Sequence, residues 1–397
     1  MIHEMRSFHR ILNLGNRSVV LIGPRQTGKS TLVRQSLAAE PHALFDLLHE
    51  ATFFRLVRDP GLFRAEVLGH VARGVRTVAI DEIQRLPGLL NEVHSLIESH
   101  GLRFVVTGSS ARKLRRGGVN LLGGRAALRH LHPLTLPELG DAFDLEAALR
   151  FGALPAVCAT GDADHKAELL RAYGDLYLRE EIVAEAAVRN IGPFGRFLDL
   201  SAAYCGALVN YSALARDAAV SVKTAQEYDQ ILVDSFVGIR LEPWRKSPRA
   251  RMVAQPRMYL FDVGVTNALA GRLGGPIDRD VRGRLFEQWF ILEVWRQTSY
   301  AYPETRLYFW RTQHGAEVDL LVERHGRLRV AVEIKARDHV RSADLSGLRA
   351  FGEAHPGVMR IVAAEVPAAQ DLGGVVVLPY REAIAAVLAG VGEAGFG

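Results

Sequence analysis

The chain has 397 residues, enough for about two to four domains. Its 48% hydrophobic and 23% charged content excludes a disordered or fibrous protein. A net charge of +5 and a pI near 9.3 suit an acidic partner such as nucleic acid without specifying one. No apolar run approaches the ~20 residues of a membrane span. The first residues, Met1 to Arg6, lack the apolar core of a signal peptide. Two cysteines, Cys158 and Cys205, are too few for a disulfide framework or a zinc site. The expectation is a cytoplasmic protein with no membrane partner.

In chain order, the first informative stretch is the apolar run Ser18–Ile22 followed by Gly23-Pro24-Arg25-Gln26-Thr27-Gly28-Lys29-Ser30 and an apolar-periodic segment from Thr31 to Leu37. Strand, glycine-bounded loop and helix start are what a phosphate cradle requires. Glycine lets the backbone close around the anion, and the amides of the helix start point at it. Lys29 is expected to reach the β- and γ-phosphates and the Ser30 hydroxyl to ligand Mg²⁺, with Thr31 also among the nucleotide-binding residues. This P-loop predicts ATP as the bound nucleotide.

Ala43–Leu48 reads as a second strand, and Arg76–Gln84 contains a third that ends in Asp81 and Glu82. Acids confined to the carboxyl end of an apolar strand fit a parallel sheet with its ligand at that edge. Asp81 is expected to hold the water shell of Mg²⁺ and Glu82 to polarise the attacking water. A fourth strand, Leu102–Thr107, runs into Gly108-Ser109-Ser110, where Ser109 either senses the γ-phosphate or simply makes a turn. A basic, glycine-rich segment follows, Ala111 to Gly118, and then Gly123-Gly124-Arg125. Arg125 is the candidate arginine finger, supplied to a neighbouring subunit, because such a charge is worth ~10³–10⁵ in rate. It predicts a ring or another head-to-tail homo-oligomer.

Gly-Pro-Arg-Gln-x-Gly-Lys-Ser at 23–30, Asp-Glu-Ile-Gln at 81–84, Thr-Gly-Ser-Ser at 107–110, Gly-Arg at 124–125 and Pro-Leu-x-x-x-Glu at 133–138 resemble the bacterial and archaeal AAA-type ATPases of the ATPase-core family. That resemblance implies an ATPase core over 1–143 and a further domain at the C-terminus. Residues 144–195 read as a helical lid.

Residues 196–256 read as three short helices and a basic wing. Ser221 caps the third helix, which is expected to carry Lys223, Thr224, Gln226 and Tyr228 on its outer side. The arrangement is that of a helix-turn-helix, able to enter a major groove or to serve as a protein–protein lid. Arg245, Lys246, Arg249 and Arg251 would let the wing touch phosphates. DNA is therefore the expected partner.

The last region, 257–397, contains a helix from Arg282 to Trp295 that is apolar on nearly every face, so Glu287 within it needs a partner. Two strands follow, Glu317–Val322 and Leu328–Lys335, linked by a turn at 323–327; Glu333 and Lys335 share a face. Helix acid, strand aspartate and Glu-x-Lys, in that order, resemble restriction-endonuclease-like nucleases. The resemblance implies that Glu287, Asp319 and Glu333 ligand Mg²⁺ and that Lys335 orients the attacking water or the scissile phosphate. Glu317 shares a strand face with Asp319 and is the alternative ligand.

The sequence thus predicts a doubly wound α/β P-loop core with helical lid, winged helix and a restriction-endonuclease-like α/β domain. The expected function is an ATP-hydrolysing, DNA-processing AAA-type machine with a metal-dependent nuclease. The alternatives are a nucleotide-gated DNA- or protein-binding switch with an inactive nuclease-like scaffold, and a defence- or toxin-type nuclease licensed by ATP.

Overall fold

A computed structural model describes residues 8–109, 122–175, 191–245 and 253–392, and the structural statements below concern these residues. The four expected apolar segments form β1 (Val19–Ile22), β2 (His42–Asp46), β3 (Thr77–Asp81) and β4 (Arg103–Gly108). A fifth strand, β5 (Ala127–His130), was not expected, because Ala-Leu-Arg-His has no continuous apolar run. It is a strand because its backbone pairs with β1. The order is β2-β3-β4-β1-β5, with every pairing parallel.

Helices α1 (Lys29–Leu37), α2 (Glu50–Arg58), α3 (Gly61–Ala72) and α4 (Leu89–His100) cover this sheet. Alternate residues of β1 enter different cores, as a period of two requires. Val20 and Ile22 pack with Leu56, Phe63 and Val93, whereas Val19 and Leu21 pack with Leu32, Val33 and Leu37. A sheet buried on both faces is why its strands read as unbroken apolar runs.

Short helices α5 (Leu136–Leu139), α6 (Leu145–Phe151), α7 (Pro155–Ala159) and α8 (Ala163–Ala172) lead towards α9 (Ile191–Ala203), α10 (Tyr211–Ala218) and α11 (Val222–Asp234). Ser221 caps α11 as expected, its hydroxyl accepting from the Thr224 amide at 3.0 Å. Tyr228 does not lie on the outer side. Together with Ala225 and Leu232 it forms the buried stripe of α11, with its ring edge-on to Phe194 and Phe197. Lys223 and Gln226 are exposed, and Thr224 is half-buried.

Strands β6 (Gly238–Pro243) and β7 (Arg257–Leu260) then pair antiparallel, so hydrogen bonds run across position 256/257. Beyond them lie α12 (Val263–Leu269), α13 (Arg279–Ala301), β8 (Thr305–Arg311), β9 (Glu317–Arg324), β10 (Arg327–Lys335), α14 (Ser346–Ala354), β11 (Met359–Ala364), β12 (Gln370–Asp371), β13 (Val376–Pro379) and α15 (Tyr380–Gly392). The second sheet has the order β12-β13-β11-β10-β9-β8-β6-β7. It joins the β6–β7 hairpin to the C-terminal strands where Glu242 and Pro243 pair with Tyr308 and Phe309. The β9–β10 turn is tighter than expected. Only His325 and Gly326 separate the paired Arg324 and Arg327, and both have positive φ.

Helix α13 runs 23 residues under this sheet and is buried around most of its circumference. Two of its charges are buried as well. Glu293 accepts from the Leu136 amide at 2.6 Å, and Arg296 donates to the Phe261 carbonyl at 2.8 Å. The first bond ties α13 to the start of α5, and the second ties it to the residue that follows β7.

One packing contact leaves no room for a side chain: a Cβ on Gly264 would lie 2.1 Å from the Phe151 carbonyl oxygen. Gly264→Ala is therefore expected to cost about 1–3 kcal/mol. Gly69→Ala, in α3 with open space around it, should instead stabilise by up to about 1 kcal/mol. Denaturation midpoints measure both, and equal shifts for the two variants would contradict the close approach.

Candidate functional site

All five strands of the first sheet run the same way, so the ends of β1, β4 and β3 lie side by side. Ile22 pairs with Gly108, and Ile80 with Val106. At about 4.8 Å per strand spacing, the loop after β1 and the acids at the end of β3 are roughly 10 Å apart, with the end of β4 between them.

The loop after β1 has the form of a cradle. Gly23 must be glycine, because a Cβ there would lie 2.2 Å from the Leu131 carbonyl oxygen. Gly28 sits at φ 90 immediately before α1, where its carbonyl accepts from Leu32. The Thr27 hydroxyl donates to the Pro24 carbonyl at 2.9 Å. Lys29 is buried, and its ammonium lies over the loop, donating to the carbonyls of Gly23 at 3.0 Å and Pro24 at 2.8 Å. Gln26 is exposed, Arg25 and Ser30 are half-buried, and Thr31 is exposed at the start of α1.

Asp81, Glu82, Thr107 and Ser109 are all buried. The Thr107 hydroxyl donates to Asp81 Oδ1 and accepts from the Glu82 amide at 3.0 Å, tying β4 to the end of β3. Glu82 adopts φ 60, which turns it out of the strand direction. Its Oε2 accepts from the Ser109 hydroxyl at 3.2 Å and from Gln84 Nε2, which also donates to Ser109 Oγ at 2.8 Å. Ser109 follows β4 at this edge of the sheet, and its hydroxyl is engaged by Glu82 and Gln84. Thr107 and Gln84 had stood only as members of motifs; nothing in their local sequence marks the bonds they make.

Arg125 precedes β5, whose first residue pairs with the first residue of β1, so it stands at the edge of the sheet away from the cradle. It is exposed and ion-paired with Glu98. It does not reach the cradle of its own chain. Arg112, Lys113, Arg115 and Arg116 lie outside the described residues, as do Lys246, Arg249 and Arg251.

The C-terminal residues converge, but around an arginine that sequence reasoning missed. The Arg257 guanidinium, at the start of β7, donates to Glu287 Oε1 at 2.8 Å, pairs with Glu317 and lies 3.9 Å from Asp319 Oδ1. Tyr259 also donates to Glu287, at 2.7 Å. Glu317 is further held by Arg311 at 3.3 Å. Asp319 Oδ2 accepts from the Ile334 amide at 2.9 Å, and Lys335 donates to Glu333 Oε1 at 2.6 Å. Among the described residues, no group of three or more His, Cys, Asp or Glu side chains is arranged to hold a metal ion.

Burial, and then the neighbouring Asp319, push the Glu333 carboxyl up to about 8, and the same two causes raise that of Glu287. Burial works to lower the Lys335 ammonium, but the charges of Glu333 and Asp319 outweigh it and raise it. No local signal marks Arg257: it is one arginine in a chain where only six of 49 basic residues are lysine.

The fold and the cradle define a P-loop ATPase core of the AAA type. The family model of the AAA domain matches residues 15–140, and models of two domains of unknown function, DUF8612 and DUF4143, match 142–274 and 282–383. Uncharacterized proteins of Mycobacterium bovis and Mycobacterium tuberculosis are each 31% identical over 317 residues, spanning 78% of this chain and 68% of theirs. An uncharacterized protein of Haemophilus influenzae is 23% identical over 64% of this chain and 70% of its own. The Walker-type ATPase of Pyrococcus abyssi superimposes with a TM-score of 0.44 at 17% identity, over 63% of this chain and 90% of that one. The chain belongs to the same family as the two mycobacterial proteins, and its residues 15–140 are an AAA domain. The match at 282–383 covers the C-terminal acids without giving them a nuclease fold or an activity.

Because Ser109 touches Glu82, it should act through it. Ser109→Ala is expected to slow ATP turnover by about 10²-fold through misplacement of Glu82, with ATP affinity changed less than about twofold. A residue that reads the γ-phosphate directly would behave differently, losing preference for ATP over ADP. Measured ATP and ADP affinities beside turnover decide between the two.

Proposed function

We propose that the protein is an ATP-hydrolysing, nucleotide-gated switch that binds DNA. The observation that carries this reading is the buried network joining Asp81, Thr107, Glu82, Gln84 and Ser109 at the sheet edge beside the Lys29 cradle. Lys29, with the backbone amides of residues 25–30, would bind the phosphates. Glu82, aimed by Gln84 and Ser109, would orient the attacking water and take its proton. Mg²⁺ fits the donor set of the Ser30 hydroxyl and the Asp81 carboxylate, and when bound it supplies charge neutralisation of the phosphates. A second copy bringing Arg125 to this edge, in a ring or head-to-tail array, would supply the remaining positive charge.

For DNA, the support is the three helices followed by an antiparallel hairpin, the order of a winged helix, and the net charge of +5. Lys223 and Gln226 are exposed on α11 and available to a groove. Arg240 is not, because it is ion-paired with the buried Asp229. Phosphate contacts would then fall to the wing residues Arg245, Lys246, Arg249 and Arg251.

A metal-dependent nuclease at Glu287, Asp319, Glu333 and Lys335 is the second reading. One observation favours it: among the described residues, Glu333 Oε2 is buried with no hydrogen-bond partner beside Asp319, an arrangement that a cation would relieve. Against it, Arg257 already compensates Glu287, Glu317 and Asp319. The acids fit a cation only with the guanidinium displaced, so the ion-paired scaffold is preferred. Cleavage of DNA by the wild type with Mn²⁺, lost in Lys335→Ala, would reverse that preference.

Lys29→Ala is expected to lose ATP binding and turnover together. Glu82→Gln should keep binding and lose turnover by about 10²–10⁴-fold. Wild-type turnover in Glu82→Gln would remove that residue from its role. DNA affinity should fall steeply with salt, and neutralising Arg245, Lys246, Arg249 and Arg251 together should flatten the slope; an unchanged slope would place any DNA site elsewhere.

A further inference from the structure

We infer that Arg10 is a positioning residue for the phosphate cradle and the link through which occupancy of that cradle reaches helix α13; this rests on the reading of residues 23–30 as an ATP site. Arg10 lies outside every motif, yet it is buried at the junction of three segments. Its Nη1 donates to the Thr27 carbonyl at 2.6 Å, inside the cradle. Its Nε donates to Glu138 at 2.9 Å, and its Nη2 to the His132 carbonyl at 2.7 Å and to Tyr300 Oη at 3.3 Å.

The first of these bonds sets the cradle. A trans peptide points its carbonyl and its amide to opposite sides. With the Thr27 carbonyl held by Arg10, the Gly28 amide is turned away from Arg10, towards the side where a phosphate would lie. Arg10 is itself immobilised. Glu138, with its side chain fully buried, also accepts from the Ile11 amide and from the Thr135 amide, each at 2.9 Å. Any rotation of the pair would break several of these bonds at once.

The remaining bonds run to the C-terminal half of the chain. Tyr300 Oη accepts from the His132 amide at 2.9 Å, Ser299 Oγ and His132 Nε2 are 2.8 Å apart, and Glu293 accepts from the Leu136 amide. The last turns of α13 are thus fastened to residues 132–136. The residue before that segment, Leu131, abuts Gly23 at the other end of the cradle. Farther back on α13, about 20 Å from Tyr300 at the helical rise per residue, Glu287 meets Arg257 and Tyr259. A triphosphate that draws Lys29 off the Gly23 and Pro24 carbonyls reseats the loop, and Arg10 and the 131–136 segment carry that change to α13.

The test uses the full chain with the non-hydrolysable analogue AMP-PNP and Mg²⁺. Affinity is measured beside amide hydrogen exchange over residues 293–301. In the wild type, the analogue is expected to alter exchange across 293–301. Arg10→Lys keeps the charge beside Glu138 but loses the planar fork, and should weaken analogue binding about tenfold while the denaturation midpoint shows a folded chain. Tyr300→Phe removes the acceptor on α13 and leaves the Arg10–Thr27 bond. It should bind the analogue as wild type does, within about twofold, and show a reduced response at 293–301, since the Ser299–His132 and Glu293–Leu136 contacts remain; a purely structural tyrosine would not produce that separation. Wild-type affinity in Arg10→Lys, or no response at 293–301 in wild-type protein that binds the analogue, overturns the inference. Wild-type binding in Lys29→Ala would instead overturn the reading of residues 23–30.

Discussion

A wholly parallel sheet has one edge at which all its strands end, and the rest of this structure depends on that constraint. Because β4 lies between β1 and β3, the Thr107 hydroxyl is available to both Asp81 and the Glu82 amide. The same topology places Ser109 next to the loop that begins at Gly23. Burial makes these bonds consequential: an unsatisfied carboxylate or hydroxyl here would cost several kcal/mol, so the network holds its geometry before any ligand arrives. In the cradle, Lys29 is folded over the carbonyls of Gly23 and Pro24.

The ATPase half was legible because its signals are local. A strand, a glycine-bounded loop and a lysine are contiguous, and Asp81 and Glu82 end an apolar run. What escaped was set by contacts between residues far apart in the chain. Arg10 pairs with Glu138, 128 positions away, and reaches Tyr300, 290 positions away. Neither partner carries a marker of the other. Strand β5 exists because β1 offers it a pairing edge, not because Ala-Leu-Arg-His prefers to be extended. Tyr228 departs from the expected outer side for a related reason: despite its polar tip, it belongs to the buried stripe of Ala225 and Leu232.

In the C-terminal domain, spacing was informative about place and less so about chemistry. Glu287, Asp319, Glu333 and Lys335 do come together, and Asp319 rather than Glu317 faces the Glu333–Lys335 pair. The sequence could not say what lies among them. Arg257 enters from β7, across a hairpin whose partner strand belongs to the preceding helices, and it converts an acidic cluster into an ion-paired joint. Three carboxylates around a guanidinium and three around a metal share one sequence pattern; they differ in whether a buried cation is already covalently part of the chain. Helix α13 spans both halves of this arrangement, with Glu287 at the joint and Tyr300 beside Arg10 and His132.

The most direct measurement of the central claim, that residues 23–30 form an ATP site poised for hydrolysis, is a crystal structure with AMP-PNP and Mg²⁺. The expected result is a triphosphate against the backbone amides of residues 25–30. Lys29 should have moved from the Gly23 and Pro24 carbonyls to the phosphate oxygens, with Glu82 still held by Ser109 and facing the γ-phosphate. A triphosphate bound elsewhere, or Lys29 still bonded to both carbonyls with the nucleotide present, would contradict it.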